Sequence, residues 1–184
     1  MTIASPLRMF GISALLIVSS ASLPADAAAK KPSLPCGGIP APTLCSTVAL
    51  SGAETLAGEG ADVASGLKIE DAKPKSCAEW TKGIGGRLRL PSATDGVGVS
   101  IPFAIKGYKG PGTYAGAASF EDVTPSLTVI TPSGAYVAVA SSTLTATVKA
   151  DGSGSFTFTK FVENVTKKGS LNGTVSWVCK KPKK

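Results

Sequence analysis

Apolar and polar residues alternate near the end of the chain, in residues 155–159 and again in residues 171–179. A period of two residues predicts β-strands with one buried face. These two strands would place an aromatic pair, an indole and a thiol on the same side of a sheet. The residues predicted to face the core are Phe156 and Phe158 in the first strand and Leu171, Val175, Trp177 and Cys179 in the second.

Shorter segments with the same pattern precede this pair, and Gly- and Pro-containing turns separate them. Pro102 lies inside one of them, and because proline lacks an amide hydrogen it predicts a sheet edge or a bulge there. Residues 53–64 fit either a weak helix or strands with loops, and their glycines favour strands. We therefore predict an all-β fold without helices, an antiparallel β-sandwich or partly open barrel of about eight or nine strands, stabilised by disulfides.

The beginning of the chain is typical of a secretory signal peptide. Arg8 supplies the positive start, residues 10–18 are apolar, and residues 24–27 end in an Ala-x-Ala cleavage motif. We expect cleavage after Ala27, with Ala29 as the alternative, and no transmembrane or lipid anchor in the mature chain. The predicted parts are a signal peptide (1–27), a disulfide-closed N-terminal segment (28–46), one β-sandwich domain (47–179) and a basic tail (180–184).

An exported chain with an even number of cysteines predicts disulfides, and four cysteines allow three pairings. The loop between Cys36 and Cys45 contains two glycines and two prolines, so it can turn back on itself. This favours a Cys36–Cys45 bond and leaves Cys77 to pair with Cys179. Zinc binding is the competing interpretation, but the chain has no histidine and no C-x-x-C spacing.

The chain carries 19 Lys and Arg against 12 Asp and Glu, a formal net charge of +7. Arg87, Arg89 and Lys106 are predicted to project outward, and Lys149 and Lys160 likewise. If their strands are neighbours, the first three form a face that attracts anionic glycans, wall polymers or lipid headgroups. Ordinary solubilising charges are the alternative, and the lysines at 180–184 are interpreted as a solvated tail. Since most aromatic residues are predicted to be buried, we do not expect nucleic-acid binding.

Without histidine, Ser-His-Asp and Cys-His catalytic sites are excluded, as are histidine-based metal sites. Two adjacent acidic pairs, Glu70-Asp71 and Glu121-Asp122, could contribute to a calcium site or could lie in plain polar turns. Asp151-Gly152 is interpreted as a hairpin turn. We expect no catalytic residue, no metal site and no cofactor.

Three segments together resemble a group of small, uncharacterised exported bacterial proteins: residues 107–114 (GYKGPGTY), 151–158 (DGSGSFTF) and 173–179 (GTVSWVC). More loosely, the chain is similar to the mycobacterial 19-kDa lipoprotein antigen class, although it lacks the lipid-bearing cysteine. The resemblance spans roughly residues 77–179 and implies a small exported β domain with a late, disulfide-bonded cysteine. It implies no catalytic residues.

These observations predict a secreted, extracellular or cell-envelope protein that is not an enzyme and binds an anionic polysaccharide or another surface component. One alternative is a structural or antigenic envelope protein without a ligand. Another is a hydrolase with a Ser-Lys or carboxylate site.

Overall fold

The structure is a computed structural model that describes residues 36–66, 73–94, 98–122 and 126–183. The signal peptide, the first part of the N-terminal segment, the Glu70-Asp71 pair and Lys184 lie outside the described residues. No helix in the described parts of the chain is both long and apolar enough to cross a bilayer.

The described residues form thirteen β-strands, one short α-helix and one 3₁₀ turn at Ala117–Ser119. The strands outnumber the eight or nine predicted, because several span only two to four residues and are too short to show an alternating pattern. The elements are β1 (Thr43–Gly52), β2 (Leu56–Val63), α1 (Cys77–Trp80), β3 (Arg87–Arg89), β4 (Ala93–Thr94), β5 (Val99–Ser100), β6 (Phe103–Lys106), β7 (Gly112–Ala115), β8 (Phe120–Asp122), β9 (Thr128–Thr131), β10 (Gly134–Val137), β11 (Thr143–Val148), β12 (Gly154–Glu163) and β13 (Ser170–Lys180).

The strands form two antiparallel sheets. Ten strands belong to the large sheet, whose main path runs β2-β1-β13-β12-β10-β9-β5-β4, with β11 and β7 branching from β12. The small sheet has the order β3-β6-β8. The all-β prediction with disulfides is confirmed.

The core lies between the small sheet and the centre of the large one. Phe103 of β6 and Phe120 of β8 both contact the ring of Phe156, with ring centroids 5.5 Å apart in each case. Phe156, Phe158, Leu171, Val175 and Trp177 are all buried, as the alternation predicts. Burial of such large apolar side chains is the main favourable term in folding, about 1.5–3 kcal/mol for each.

Pro102 lies where the chain passes from one sheet to the other. β5 belongs to the large sheet and β6 to the small one, and Ile101 and Pro102 separate them. Strands that change sheets commonly do so through a bend or bulge. The predicted interruption at Pro102 is therefore the corner between the two sheets.

The large sheet curls until β2 and β4, its two end strands, lie side by side. Side chains join the segments at this seam. Asp62 Oδ2 accepts hydrogen bonds from the backbone N–H of Ser92 at 3.1 Å and from its hydroxyl at 2.8 Å. Arg89 donates to the same hydroxyl at 2.9 Å.

The expectation of no helix is wrong at one place, because α1 spans Cys77–Trp80. Ser76 caps this helix by accepting a hydrogen bond from the Glu79 N–H at 3.1 Å. Glu79 in turn accepts from the Lys75 N–H at 2.6 Å. Ser-x-x-Glu at a helix start is a capping box, but one turn of helix shows no hydrophobic period.

Both predicted disulfides are confirmed, Cys36–Cys45 and Cys77–Cys179. The first closes a loop on the outer side of β1, and the second ties the end of β13 to α1. Two structural disulfides indicate a protein that folds outside the cytoplasm. Strand β1 begins at Thr43 and strand β13 ends at Lys180. The large sheet therefore includes the end of the predicted N-terminal segment and the first residue of the predicted basic tail.

Candidate functional site

The three residues predicted to form an anion-binding face lie on neighbouring strands of the small sheet. Arg87 and Arg89 belong to β3, Lys106 belongs to β6, and Arg87 stands directly opposite Lys106. Leu88 between the arginines and Ile105 beside the lysine point into the core. Because side chains alternate across a strand, the three cations share the outer face.

Arg87 is partly neutralised on that face. Its Nε donates to Glu121 Oε1 across strand β6, and its side chain is 48% exposed. Exposed ion pairs of this kind contribute about 0–1 kcal/mol, so the pair can open at little cost. Asp122, the neighbour of Glu121, accepts a hydrogen bond from the Thr128 N–H at 3.1 Å. No group of three potential metal-ligating side chains occurs among the described residues.

Arg89 is half-buried and serves the fold. Besides its bond to Ser92, its Nη1 donates to Ser65 Oγ at 3.1 Å and to Gly66 O at 3.4 Å. These contacts connect β3 to the segment after β2. Lys106 is exposed, and none of the ion pairs found among the described residues involves it.

A tight turn positions Arg87. Gly85 and Gly86 both have positive φ, 58° and 71°, as a two-residue type I′ hairpin turn requires. Ile84 and Arg87 close the turn with reciprocal backbone hydrogen bonds of 2.8 Å and 3.0 Å. Gly83 is needed just before the turn, because an added Cβ would lie 2.6 Å from Arg87 O.

A narrow cleft lies between this turn and α1. Its walls include Trp80, Arg87 and Arg89, and its inner space is about 10 Å³, room for one atom of the size of a water oxygen. Trp80 is 2% exposed, and its indole Nε1 is fully buried without a hydrogen-bond partner. Sequence reasoning missed Trp80 because nothing in its surroundings distinguishes it from an ordinary core residue.

A second cationic region surrounds the Cys77–Cys179 disulfide. The turn from β11 to β12 touches this bond, since a Cβ at Gly152 would lie 3.0 Å from Cys179 Cβ and 3.4 Å from Cys77 Cβ. Lysines lie next to each of the chain segments that meet near this disulfide. We call this region the basic end; its exposed lysines are Lys75, Lys82, Lys109, Lys149, Lys180, Lys181 and Lys183.

The carboxylates at the basic end are engaged in local hydrogen bonds. The Glu79 carboxylate accepts the hydrogen bond of the Lys75 N–H. Asp151 Oδ1 accepts from the Ser153 hydroxyl at 2.7 Å and from its N–H at 2.9 Å. The hydroxyl hydrogen bond, with the backbone one and nearby Lys149, lowers the pKa of Asp151. The predicted Asp151-Gly152 hairpin turn is confirmed, with Gly152 at φ +83°.

Two shallow clefts of about 380 Å³ each follow the outer face of β1 and β13. Thr47 and Ser176, which stand opposite each other, line the first, and Thr174 lines the second. All three are exposed. Lys180 lies on the same face of β13 as Ser176, so the hydroxyl-lined clefts begin beside the basic end.

The sequence matches no known protein family, and no curated protein and no solved structure matches it either.

Proposed function

We propose that this chain is a secreted, non-enzymatic protein, extracellular or associated with the cell envelope, that binds an anionic polysaccharide. The observation that carries the proposal is the basic end, where seven exposed lysines lie on or next to the segments that meet near the Cys77–Cys179 bond, while Glu79 and Asp151 are held in local hydrogen bonds.

The outer face of the small sheet, which carries Arg87, Arg89 and Lys106, continues this cationic surface. A Cβ at Gly83, which follows Lys82, would lie 2.6 Å from Arg87 O and 2.7 Å from the ring of Tyr108, and Lys109 follows Tyr108. Lys106 and Arg87 therefore lie next to the basic end. An extended positive surface suits a polymer with repeated negative charges better than a single small anion, because each charge adds attraction without a shaped pocket.

The hydroxyl-lined clefts favour a polysaccharide among anionic polymers. Sugar hydroxyls both donate and accept hydrogen bonds, as do the side chains of Thr47, Thr174 and Ser176. None of the hydrogen bonds of the described residues uses these three hydroxyls, although hydroxyls on the neighbouring strands pair with each other, as Thr143 and Thr159 do at 2.7 Å. A polyphosphate would leave the clefts unused.

The test measures binding of the oxidised mature protein to polygalacturonate, dextran sulfate, inorganic polyphosphate and neutral dextran at 50 mM salt. The variant is the triple substitution of Lys75, Lys149 and Lys180 by Gln. Near an anionic surface each lysine contributes about 1 kcal/mol, so we expect roughly 100-fold weaker binding of the charged polysaccharides.

The matched control is the triple substitution of Lys160, Lys167 and Lys168 by Gln at the opposite end, which removes the same charge. We expect it to weaken binding less than threefold. Equal weakening by both triples would mean that only net charge matters and would contradict the proposal. Failure of the unmodified protein to bind any of the charged polysaccharides would reject it.

A further inference from the structure

We propose that the anionic polysaccharide lies across the strands of the large sheet, along a row of hydroxyl groups, with one sugar residue above each strand. The inference rests on the proposed function, because it concerns how the same polymer is held. We call this set of side chains, one from each of five neighbouring strands, the hydroxyl row. Its members, in order from β1 to β7, are Thr47, Ser176, Ser155, Thr147 and Thr113.

The register of the strands places the hydroxyl row in one line. Ser176 stands opposite Thr47 on one side and Ser155 on the other, and Thr147 stands opposite Ser155 and Thr113. Neighbouring strands lie about 4.8 Å apart, so the row repeats at about this distance. A sugar residue in an extended polysaccharide is about as long as this separation. Each sugar can therefore meet one hydroxyl of the row.

The row crosses an uncharged part of the outer face. Residues 47–51, 143–147, 155–159 and 172–176 contain no Asp, Glu, Lys or Arg, and their outward-facing positions are mostly Thr and Ser. Depletion of charged residues from the centre is typical of binding interfaces. The centre of this surface suits the hydroxyl groups of a sugar, and the acidic groups of the polymer have to be met at its margin.

Two lysines of the basic end lie at that margin. Lys149 follows Thr147 by two residues and Lys180 follows Ser176 by four, so alternation puts each lysine on the same face as its member of the row. Both strands are antiparallel to β12, which brings these two strand ends to the same edge of the sheet. Asp151 lies in the turn between β11 and β12, but its carboxylate accepts two hydrogen bonds within that turn.

The row has hydrogen-bonding capacity to spare. Among the described residues, the hydroxyls of Thr47, Ser155 and Ser176 take part in no hydrogen bond. The hydroxyls of Thr113 and Thr147 bond to each other at 3.1 Å, which uses only one of their two hydrogens. Along a strand, by contrast, residues of one face are about 6.7 Å apart. A polymer that lay along one strand would meet fewer hydroxyls for its length than one that crosses the sheet.

The test measures binding of polygalacturonate, and of galacturonate oligomers from two sugars upwards, to the oxidised mature protein. The row variant combines Ser155→Ala with Thr147→Val. The matched control combines Thr159→Val with Thr143→Val, which removes two hydroxyls from the same two strands and the same face, in another row. Equilibrium unfolding in guanidinium chloride shows whether both variants fold.

We expect the affinity of the unmodified protein to rise with each added sugar up to about five, the number of strands in the row, and little beyond. The row variant should bind polygalacturonate about tenfold more weakly, because each lost hydrogen bond weakens binding several-fold, and the control should change it less than twofold.

The inference is overturned if the two variants bind alike, or if the affinity stops rising at two or three sugars, since such a ligand would not reach from β1 to β11. Either result would leave the proposed function standing as long as the lysine triple variant binds more weakly. Failure of the unmodified protein to bind any charged polysaccharide would reject both.

Discussion

Removal of the Cys77–Cys179 disulfide is expected to cost much more stability than removal of Cys36–Cys45. The two bonds span 102 and 9 residues of sequence. If a disulfide acts by restricting the unfolded chain, the longer loop is worth about 4.7 kcal/mol and the shorter one about 2.6 kcal/mol. The difference of about 2 kcal/mol is therefore the quantity to measure.

The buried environment of the long-range bond adds to this difference. Cys77 is 7% exposed and belongs to the packed surroundings of Gly152, whereas Cys36 is exposed. Replacing Cys77 and Cys179 by Ala therefore removes buried atoms as well as the crosslink. The lost burial adds to the destabilisation by the cavity effect known for large-to-small core substitutions.

The assay is equilibrium unfolding in guanidinium chloride of the two Cys→Ala double variants and the unmodified protein. We expect a loss of at least about 4–5 kcal/mol for the Cys77/Cys179 variant and a little under 3 kcal/mol for the Cys36/Cys45 variant, with the larger increase in the m-value for the variant that loses the longer loop. Equal losses would refute the chain-entropy reasoning for these bonds. A larger loss for the short loop would show that the N-terminal segment holds β1 in place more than the last crosslink does.

Two further predictions concern packing and pH. Gly173→Ala should destabilise the protein by about 1–3 kcal/mol in the same unfolding assay, because the new Cβ would lie 2.4 Å from the ring of Phe158. The control is Gly112→Ala, which lies in an exposed edge strand with open space and should change the stability by no more than about 0.5 kcal/mol. Equal effects of the two substitutions would contradict this packing. Burial, with a smaller contribution from Tyr114, raises the pKa of Tyr108 to about 12 from 10.0, so the neutral phenol is favoured in the folded state. The stability that this group contributes is thus present below pH 10 and falls as the pH rises towards 12. The absorbance titration of the phenols should lose its highest step in Tyr108→Phe. A single step near pH 10 in the folded protein would contradict this prediction.

The sequence determines the fold well where periodicity is long enough to read. The alternation in β12 and β13 predicts the buried aromatic residues, and Pro102 correctly predicts an interruption. The helix α1 escapes the same reasoning because four residues make barely one turn. Its only local signal is the Ser76-x-x-Glu79 capping pattern.

The candidate site is harder to predict because it depends on contacts between distant segments. Alternation places Arg89 on the outer face, but it says nothing of Ser65 and Ser92, which hold its guanidinium. The basic end could be predicted in part from the sequence. The predicted Cys77–Cys179 bond already brings Lys75 close to Lys180, which the sequence alone places in a solvated tail.

The most direct test of the proposed function is the salt dependence of binding to polygalacturonate and dextran sulfate. Contacts between lysines and an anionic polymer release counterions, so the logarithm of the binding constant should fall linearly with the logarithm of salt concentration. We predict a steep negative slope for the unmodified protein and a shallower one for the triple variant of Lys75, Lys149 and Lys180. Binding that is absent at low salt, or that does not change with salt, would contradict the account.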